Sequence, residues 1–321
     1  MFEEWRDLDI NTVLASETLL SNREFRDLAE KFNITTFVII PVFFNPEELE
    51  KNPDLYAITD AGKRASEEWV QFVCPTREDY REQKISYIKH VIENLDPDGI
   101  SVDFIRHFVF WEKVYPNRTL DSITNTCFDS HCLEKYQKET GITIPQEYSA
   151  IPEKAAWIKK NHMKSWTEWK CSVITGMIRE IAAEAKKSKP DVLINVHAVP
   201  WREKDFGGAI KIIAGQDIAS LSAYADFISP MCYSHMVKRK PPWINSVVED
   251  MHRRAHRPIL PSIQVKEAYL PEKLSAHEFH DALLEALKPP SRGVIFWSWE
   301  ALDKDPEKKD LIKTVVGNKT G

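Results

Sequence analysis

Short apolar runs rich in β-branched and aromatic residues recur along the chain, separated by amphipathic stretches with three- and four-residue spacing. The runs predict strands at Ile10–Ser16, Thr36–Phe43, Val70–Cys74, Gly99–Phe104, Leu193–Val199, Phe227–Tyr233, Ile259–Val265 and Val294–Trp299. Near-continuous apolar strands of this kind are what a parallel sheet covered on both faces requires. Helical patterns fall between most of them, at Glu24–Phe32, Glu78–Asn94, Ser165–Lys187, Asp217–Tyr224, Asn245–Arg254 and Ala276–Leu287. The clearest precedes the fifth strand, where Trp166, Trp169, Val173, Met177 and Ile181 mark one helix face. Eight strands alternating with helices over 321 residues predict an α/β chain folded as a (β/α)8 TIM barrel, one domain spanning residues 1–321. A doubly wound open sheet is the alternative. It calls for a Gly-rich phosphate turn after an early strand, and the sequence has none.

Two stretches interrupt the alternation. Asn45–Trp69 predicts a small hairpin, Leu55–Thr59 followed by an Asp60-Ala61-Gly62 turn. Residues 106–164 form a long insertion between the fourth strand and its helix. Loops of that length are usually functional, and in a barrel they rise from the catalytic face. The charged tail after Asp303 predicts a final helix.

Composition narrows the partners. The 43 basic and 49 acidic residues give a net charge of −6 with no sustained basic block, so no nucleic-acid partner is expected. No apolar run reaches the ~18 residues of a spanning helix, so no membrane partner is expected either. Met1–Asp9 is acidic and lacks the form of a signal peptide. Cys74, Cys127, Cys132, Cys171 and Cys232 are odd in number and scattered, which predicts free thiols and a cytoplasmic chain, or a secreted one if a signal has been removed. Ten Trp, 15 Phe and nine Tyr are a rich aromatic allotment; most are expected in the core, and the surplus of Trp suits a flat-faced ligand such as a sugar.

The candidate chemistry centres on Pro97–Glu112. Asp103 sits inside an apolar strand run, and Arg106-His107 follow it. A carboxylate in a buried strand costs several kcal/mol unless paired, so Asp103 is either half of an ion pair with Arg106 or kept for a reaction. A barrel gathers its site from the C-terminal ends of its strands. Those ends supply Asp103, Arg106 and His107 from the fourth predicted strand, His197 from the fifth, and Tyr233 and His235 from the sixth. Gln264 comes from the seventh, and Trp297, Trp299 and Glu300 from the eighth. His197 and His235 lie on separate strands without metal-ligand spacing. Cys127-Phe128-Asp129-Ser130-His131-Cys132 offers ligand types but lacks a second pair at zinc spacing, so no metal or other cofactor is expected.

Carboxylates and aromatics remain, a combination suited to cleaving a glycosidic bond, which needs a proton donor and a second carboxylate acting as nucleophile or base. Asp103, kept ionised by Arg106, is the expected base, and Glu300, or Glu112 on the long loop, the expected acid. Trp297 and Trp299 are expected to stack on a sugar face, with Arg106, His107, His197, Tyr233 and Gln264 completing the substrate-binding set.

Four motifs carry a resemblance. Val73–Pro75, the fourth strand with Cys127-x4-Cys132 downstream, Ser229–Tyr233 and Gly293–Glu300 resemble the glycoside-hydrolase-like (β/α)8 barrels, distantly similar to the family 18 chitinases. Against the chitinase pattern D-G-x-D-x-D-x-E, Asp98, Gly99 and Asp103 match, while Ser101 and Ile105 replace the middle Asp and the acid Glu. Met231, Tyr233 and Trp297 match the later strands. The resemblance implies a glycoside hydrolase acting on an oligosaccharide or glycoconjugate. The missing Glu keeps a non-catalytic, chitinase-like carbohydrate-binding barrel as the alternative.

Overall fold

The computed structural model describes residues 1–317. Its strands are β1 (Thr12–Ala15), β2 (Thr35–Pro41), β3 (Ser66–Glu67), β4 (Val70–Gln71), β5 (Gly99–Asp103), β6 (Leu193–Ala198), β7 (Phe227–Pro230), β8 (Ser262–Gln264) and β9 (Ile295–Trp297). The parallel order is β1-β2-β5-β6-β7. Parallel bridges at Ile228–Ile259 and Met231–Ser262 carry it on to the β8-β9 pair.

Alternation in these strands sorts residues between two faces. Val38 and Ile40 of β2, Ile100 and Val102 of β5 and Val196 of β6 are sealed from solvent on the face that meets the helices. The Glu78–Leu95 and Met163–Ser188 helices cover it with Ile88, Val91 and Ile92, and with Ile174, Met177, Ile178 and Ile181. The other face is concave. Phe37 on β2 and Phe227 on β7 have two strands between them, about 14 Å in a flat sheet. Their rings nevertheless meet at 6.4 Å, so the sheet is curled. Gly99 makes room for this plug, since a Cβ there would sit 2.2 Å from the Phe37 ring.

Above the plug the concave face turns polar. Asn195 Nδ2 donates to Ser101 Oγ at 2.9 Å, Ser229 Oγ donates to Asn195 Oδ1 at 2.7 Å, and Ser101 Oγ lies 2.8 Å from His197 Nε2. These groups are buried, and each finds its partner on a neighbouring strand, as buried polar groups must.

Seven of the eight predicted barrel strands lie in this array. The third does not. The Val70–Cys74 run instead joins an antiparallel layer: β4 pairs with β3, and Tyr56 bridges Val73. The predicted hairpin forms in the same layer, with Ile58 bridging Arg64 across the Asp60-Ala61-Gly62 turn. β2 therefore pairs directly with β5, and Val42 N–H bonds to the Asp103 carbonyl. An apolar run encodes burial on both faces, and this layer provides it as fully as a central barrel position would: Val70, Phe72, Val73 and Cys74 are all inaccessible. The sequence carried no signal for the partner strand or its direction.

The 106–164 insertion is not a bare loop. It holds short 3-10 turns at Trp111–Lys113 and Leu120–Ser122 and helices at Ser130–Thr140 and Ile151–Asn161. The final helix forms at Pro306–Gly317, and the rest of the predicted tail lies outside the described residues.

Gly99→Ala is expected to destabilise the fold by about 1–3 kcal/mol or more, the cost of overpacking a filled interior. Adding Phe37→Leu should recover most of the loss in thermal melting. Equal melting of wild type and the single variant would show that Phe37 does not plug the concave face.

Candidate functional site

The site is built where β5 ends. Asp103 Oδ1 accepts the N–H of Phe104 at 2.6 Å, and Phe104 has φ +50°, which turns the chain sharply away from the strand. That turn sends Arg106 back beneath the insertion. Its guanidinium lies 4.7 Å from the ring centre of Phe72 and 5.3 Å from that of Phe104, and Nη1 donates to Val109 O at 3.0 Å. Only 2% of Arg106 is exposed. Burial pushes its pKa down, against the pull of the nearby Glu112 and Asp103 carboxylates. No ion pair joins Arg106 to Asp103 among the described residues; the expected partnership is replaced by an aromatic clamp on the guanidinium.

The insertion then brings Glu112 in over the strand ends, within the Trp111–Lys113 turn. Glu112 is buried, and its Oε2 has no hydrogen-bond partner. Burial pushes this carboxyl up to about 7, and the charge of Asp103 adds to the effect while Arg106 and a backbone N–H oppose it. Asp103 is half-buried. The arrangement thus sets two carboxyls within Coulombic reach of each other, one of them ready to hold a proton near neutral pH.

Aromatic rings frame the opening. Tyr233, following β7, stacks on Trp297 of β9 with centres 4.9 Å apart and planes at 22°, and Trp111 approaches Tyr233 at 5.8 Å. Burial raises the Tyr233 hydroxyl, with the charges of Asp103 and Glu112 adding to the effect and a hydrogen bond with Ser262 opposing it. On another side Trp69 Nε1 donates to Tyr269 Oη at 2.7 Å, and Phe110 meets both rings edge-on, at 5.9 and 5.5 Å. Trp69, Tyr269 and Trp297 are each about two-fifths exposed, at 41%, 39% and 41%, unusually open for rings of this size. Beside this rim, Phe108, Val109, Phe110, Lys113, Tyr115 and Arg118 line a hollow of about 280 Å³.

The residues expected from sequence divide into two groups. Asp103, Tyr233 and Trp297 converge on the opening, and His197, like Asp103, follows the last β5–β6 pair, Val102–Val196, with its Nδ1 buried and unpartnered. The others have duties elsewhere. Gln264 is buried and spent on backbone, its Oε1 accepting from Met236 N at 2.8 Å and its Nε2 donating to Lys266 O at 2.9 Å. His107 points away, its Nε2 3.4 Å from Lys170 O and its ring against Gly215. Trp299 packs edge-on against Trp5 of the N-terminal helix at 5.6 Å. Glu300 is exposed, and a hydrogen bond with Ser298 holds its carboxyl below the usual range, with Lys266 and Lys304 assisting. An exposed, ionised carboxylate is a poor proton donor. His235 is held by Glu278 at 3.0 Å and by Glu272 O at 2.9 Å, and His197 by Ser101, so the two rings share no partner.

Sequence reasoning overlooked Trp69 and Tyr269. They fall in irregular segments, where no periodicity tells an exposed ring from a buried one. An aromatic outside any apolar run was the only available signal.

No family model and no curated protein matches the chain. Solved structures do. A β-galactosidase from the psychrophilic Marinomonas ef1 aligns with a TM-score of 0.67 at 12% identity, over 98% of this chain and 56% of its own. A catalytic mutant of a GH42 β-galactosidase from G. stearothermophilus aligns at 0.64 and 11%, over 98% and 54%. An α-L-fucosidase isoenzyme from Paenibacillus thiaminolyticus aligns at 0.60 and 12%, over 99% and 45%. The chain spans about half the length of these proteins. At such identities the likeness is one of fold: a curled parallel sheet with helices outside. None of these three is a family 18 chitinase.

Burial of Glu112 has a thermodynamic signature. A carboxyl that binds its proton more tightly in the folded than in the unfolded chain contributes stability below its unfolded pKa, and that contribution is lost as pH rises through the folded value of about 7. Denaturation midpoints are expected to fall across that window, and Glu112→Gln to flatten the profile. Identical profiles for wild type and variant would show that Glu112 titrates as a solvated group.

Proposed function

We propose that the chain is a glycoside hydrolase, a single barrel domain over residues 1–321, that works with Asp103 and Glu112. The observation that carries this reading is Glu112: a buried carboxyl within Coulombic reach of Asp103, its affinity for a proton raised to about pH 7, under an aromatic rim. Cleaving a glycosidic bond requires a proton at the leaving oxygen and a negative charge near the anomeric carbon. Glu112 supplies the first. Asp103, on the rigid end of β5, supplies the second, as nucleophile or as the base that activates water.

The surroundings suit a sugar. Trp297, stacked on Tyr233 and open to solvent, offers a flat apolar platform for the C–H face of a pyranose. The Tyr233 hydroxyl and the imidazole of His197, whose Nδ1 is buried without a partner, are the polar groups assigned to sugar hydroxyls. Arg106 acts as a positioning residue, its clamped charge tempering the proton affinity of Glu112. The three proteins described above bear the names of galactosidases and a fucosidase, so galactosides and fucosides are the first substrates to try.

The test is turnover on a panel of aryl glycosides and oligosaccharides. Asp103→Asn and Glu112→Gln should each lower kcat/KM by about 10²–10⁴, the usual worth of a positioned acid or base. Wild-type activity should decline as pH rises through about 7, where Glu112 loses its proton, and Glu112→Gln should lack that limb. Aryl glycosides with strongly acidic leaving groups need no protonation and should spare Glu112→Gln but not Asp103→Asn. Trp297→Ala should raise KM more than it lowers kcat, while Trp299→Ala should leave both unchanged. Near-native rates in both carboxyl variants would refute the assignment. Glycans that bind without being cut would replace hydrolysis with carbohydrate binding.

A further inference from the structure

The insertion has a second point of convergence, separate from the opening. Cys74 follows β4, while Cys127, Asp129 and Cys132 lie at the start of the Ser130–Thr140 helix, and all four are buried. One donor atom from each lies within 4.8 Å of every other. Among the described residues this is the one such grouping of His, Cys, Asp and Glu. Cys74 Sγ is 3.1 Å from Cys132 Sγ, and Cys127 Sγ is 3.2 Å from Asp129 Oδ2. Donors around a tetrahedral ion with metal–sulfur bonds of ~2.3 Å stand ~3.8 Å apart, so the observed spacings bracket those of a filled site. All five cysteines are free.

We propose that Cys74, Cys127, Cys132 and the carboxylate of Asp129 bind a zinc ion, which pins the insertion carrying Glu112 to the antiparallel layer. Three thiolates and a carboxylate match the preference of zinc for sulfur-rich tetrahedral sites. Binding releases the three thiol protons to solvent and leaves a complex with a net charge of −2. The surroundings are arranged for an anion. Arg77 Nη2 stands 3.5 Å from Asp129 Oδ2. The fully buried ammonium of Lys170 finds only neutral acceptors, Asn125 Oδ1 at 2.6 Å and the carbonyls of Ile212 and Ile213 at 2.8 and 3.0 Å. Burial lowers its pKa to about 7, and Cys171, Cys127, Asp60 and Cys132 act in the opposite direction. Burying a lone ammonium is expensive, and an anionic metal–thiolate centre nearby offsets the cost.

The site is also braced. Asp129 Oδ1 accepts the N–H of Cys132 at 2.6 Å, capping the helix and leaving Oδ2 for the metal. Ile58 N–H donates to Cys127 Sγ at 3.2 Å, and Thr76 Oγ1 lies 3.1 Å from both Cys74 Sγ and Cys132 Sγ, the contacts that orient and tune metal thiolates. The motif looked incomplete in sequence because its fourth ligand comes from the run expected to be a barrel strand.

The test is elemental analysis of the full chain purified without chelators, repeated after equilibration with zinc under reducing conditions. One zinc per chain is expected. Cobalt in its place should give a thiolate-to-metal charge-transfer band, and a mercurial should release zinc as it modifies the thiols. Cys127→Ser and Asp129→Asn should lower metal content, whereas Cys232→Ala, outside the cluster, should not. A strong chelator should lower the melting temperature of wild type. Should the variants fail to fold, the cobalt spectrum and mercurial release of wild type decide. Substoichiometric metal after reconstitution without a charge-transfer band, or a Cys74–Cys132 disulfide in protein purified under nitrogen, would overturn the proposal. None of these readouts depends on turnover, so a catalytically silent chain still answers the question.

Discussion

A guanidinium held out of water without an ion-pair partner governs the geometry of the site. Arg106 touches three parts of the molecule at once: Phe72 of the antiparallel layer, Phe104 at the turn leaving β5, and the carbonyl of Val109 in the insertion. Cation–π contacts of this kind gain strength when desolvated, and the aromatic clamp takes the place that water or a carboxylate would otherwise fill. Because its charge stays within Coulombic reach of Asp103 and Glu112 without bonding either, it tempers the proton affinity of Glu112 and locks neither carboxyl in an ion pair. A direct Asp103–Arg106 bridge would have turned the strand-end acid into a structural element. The φ of +50° at Phe104 keeps them apart.

Much of the frame was legible from periodicity. Seven of the strands and the principal helices follow from runs and repeats whose register matches the observed faces, because burial on the helix side demands Val, Ile and Leu at alternate positions. What periodicity lacked was direction of pairing. Val70–Cys74 satisfies the same burial in an antiparallel layer as it would in a barrel wall, and its displacement brings Phe72 to Arg106 and Cys74 to Cys127.

The site was legible in inverse proportion to its distance from regular structure. Asp103 stood out as a charge within an apolar run, and Tyr233 and Trp297 as strand-end rings. Gln264, Trp299 and His107 carried the same signal and proved to be occupied with backbone, the N-terminal helix and Lys170 respectively. Strand-end position tells where a side chain starts, not which neighbour claims it. Glu112 could be named but not ranked above Glu300, because burial in an irregular segment leaves no pattern in the sequence. The likeness to far longer galactosidases at 11–12% identity fits this division: the frame tolerates almost complete substitution, while local turns decide the chemistry.

The two proposed catalytic carboxyls belong to parts of the chain with different tolerance for change. Asp103 ends a strand whose loss would undo the sheet, whereas Glu112 rides on a 3-10 turn of the insertion, outside the sheet. A descendant could therefore lose its acid through drift in that segment while keeping the folded scaffold and its ring platform intact. On such a scaffold, the step from an enzyme to a receptor for the same ligand is short, and it leads through the loop.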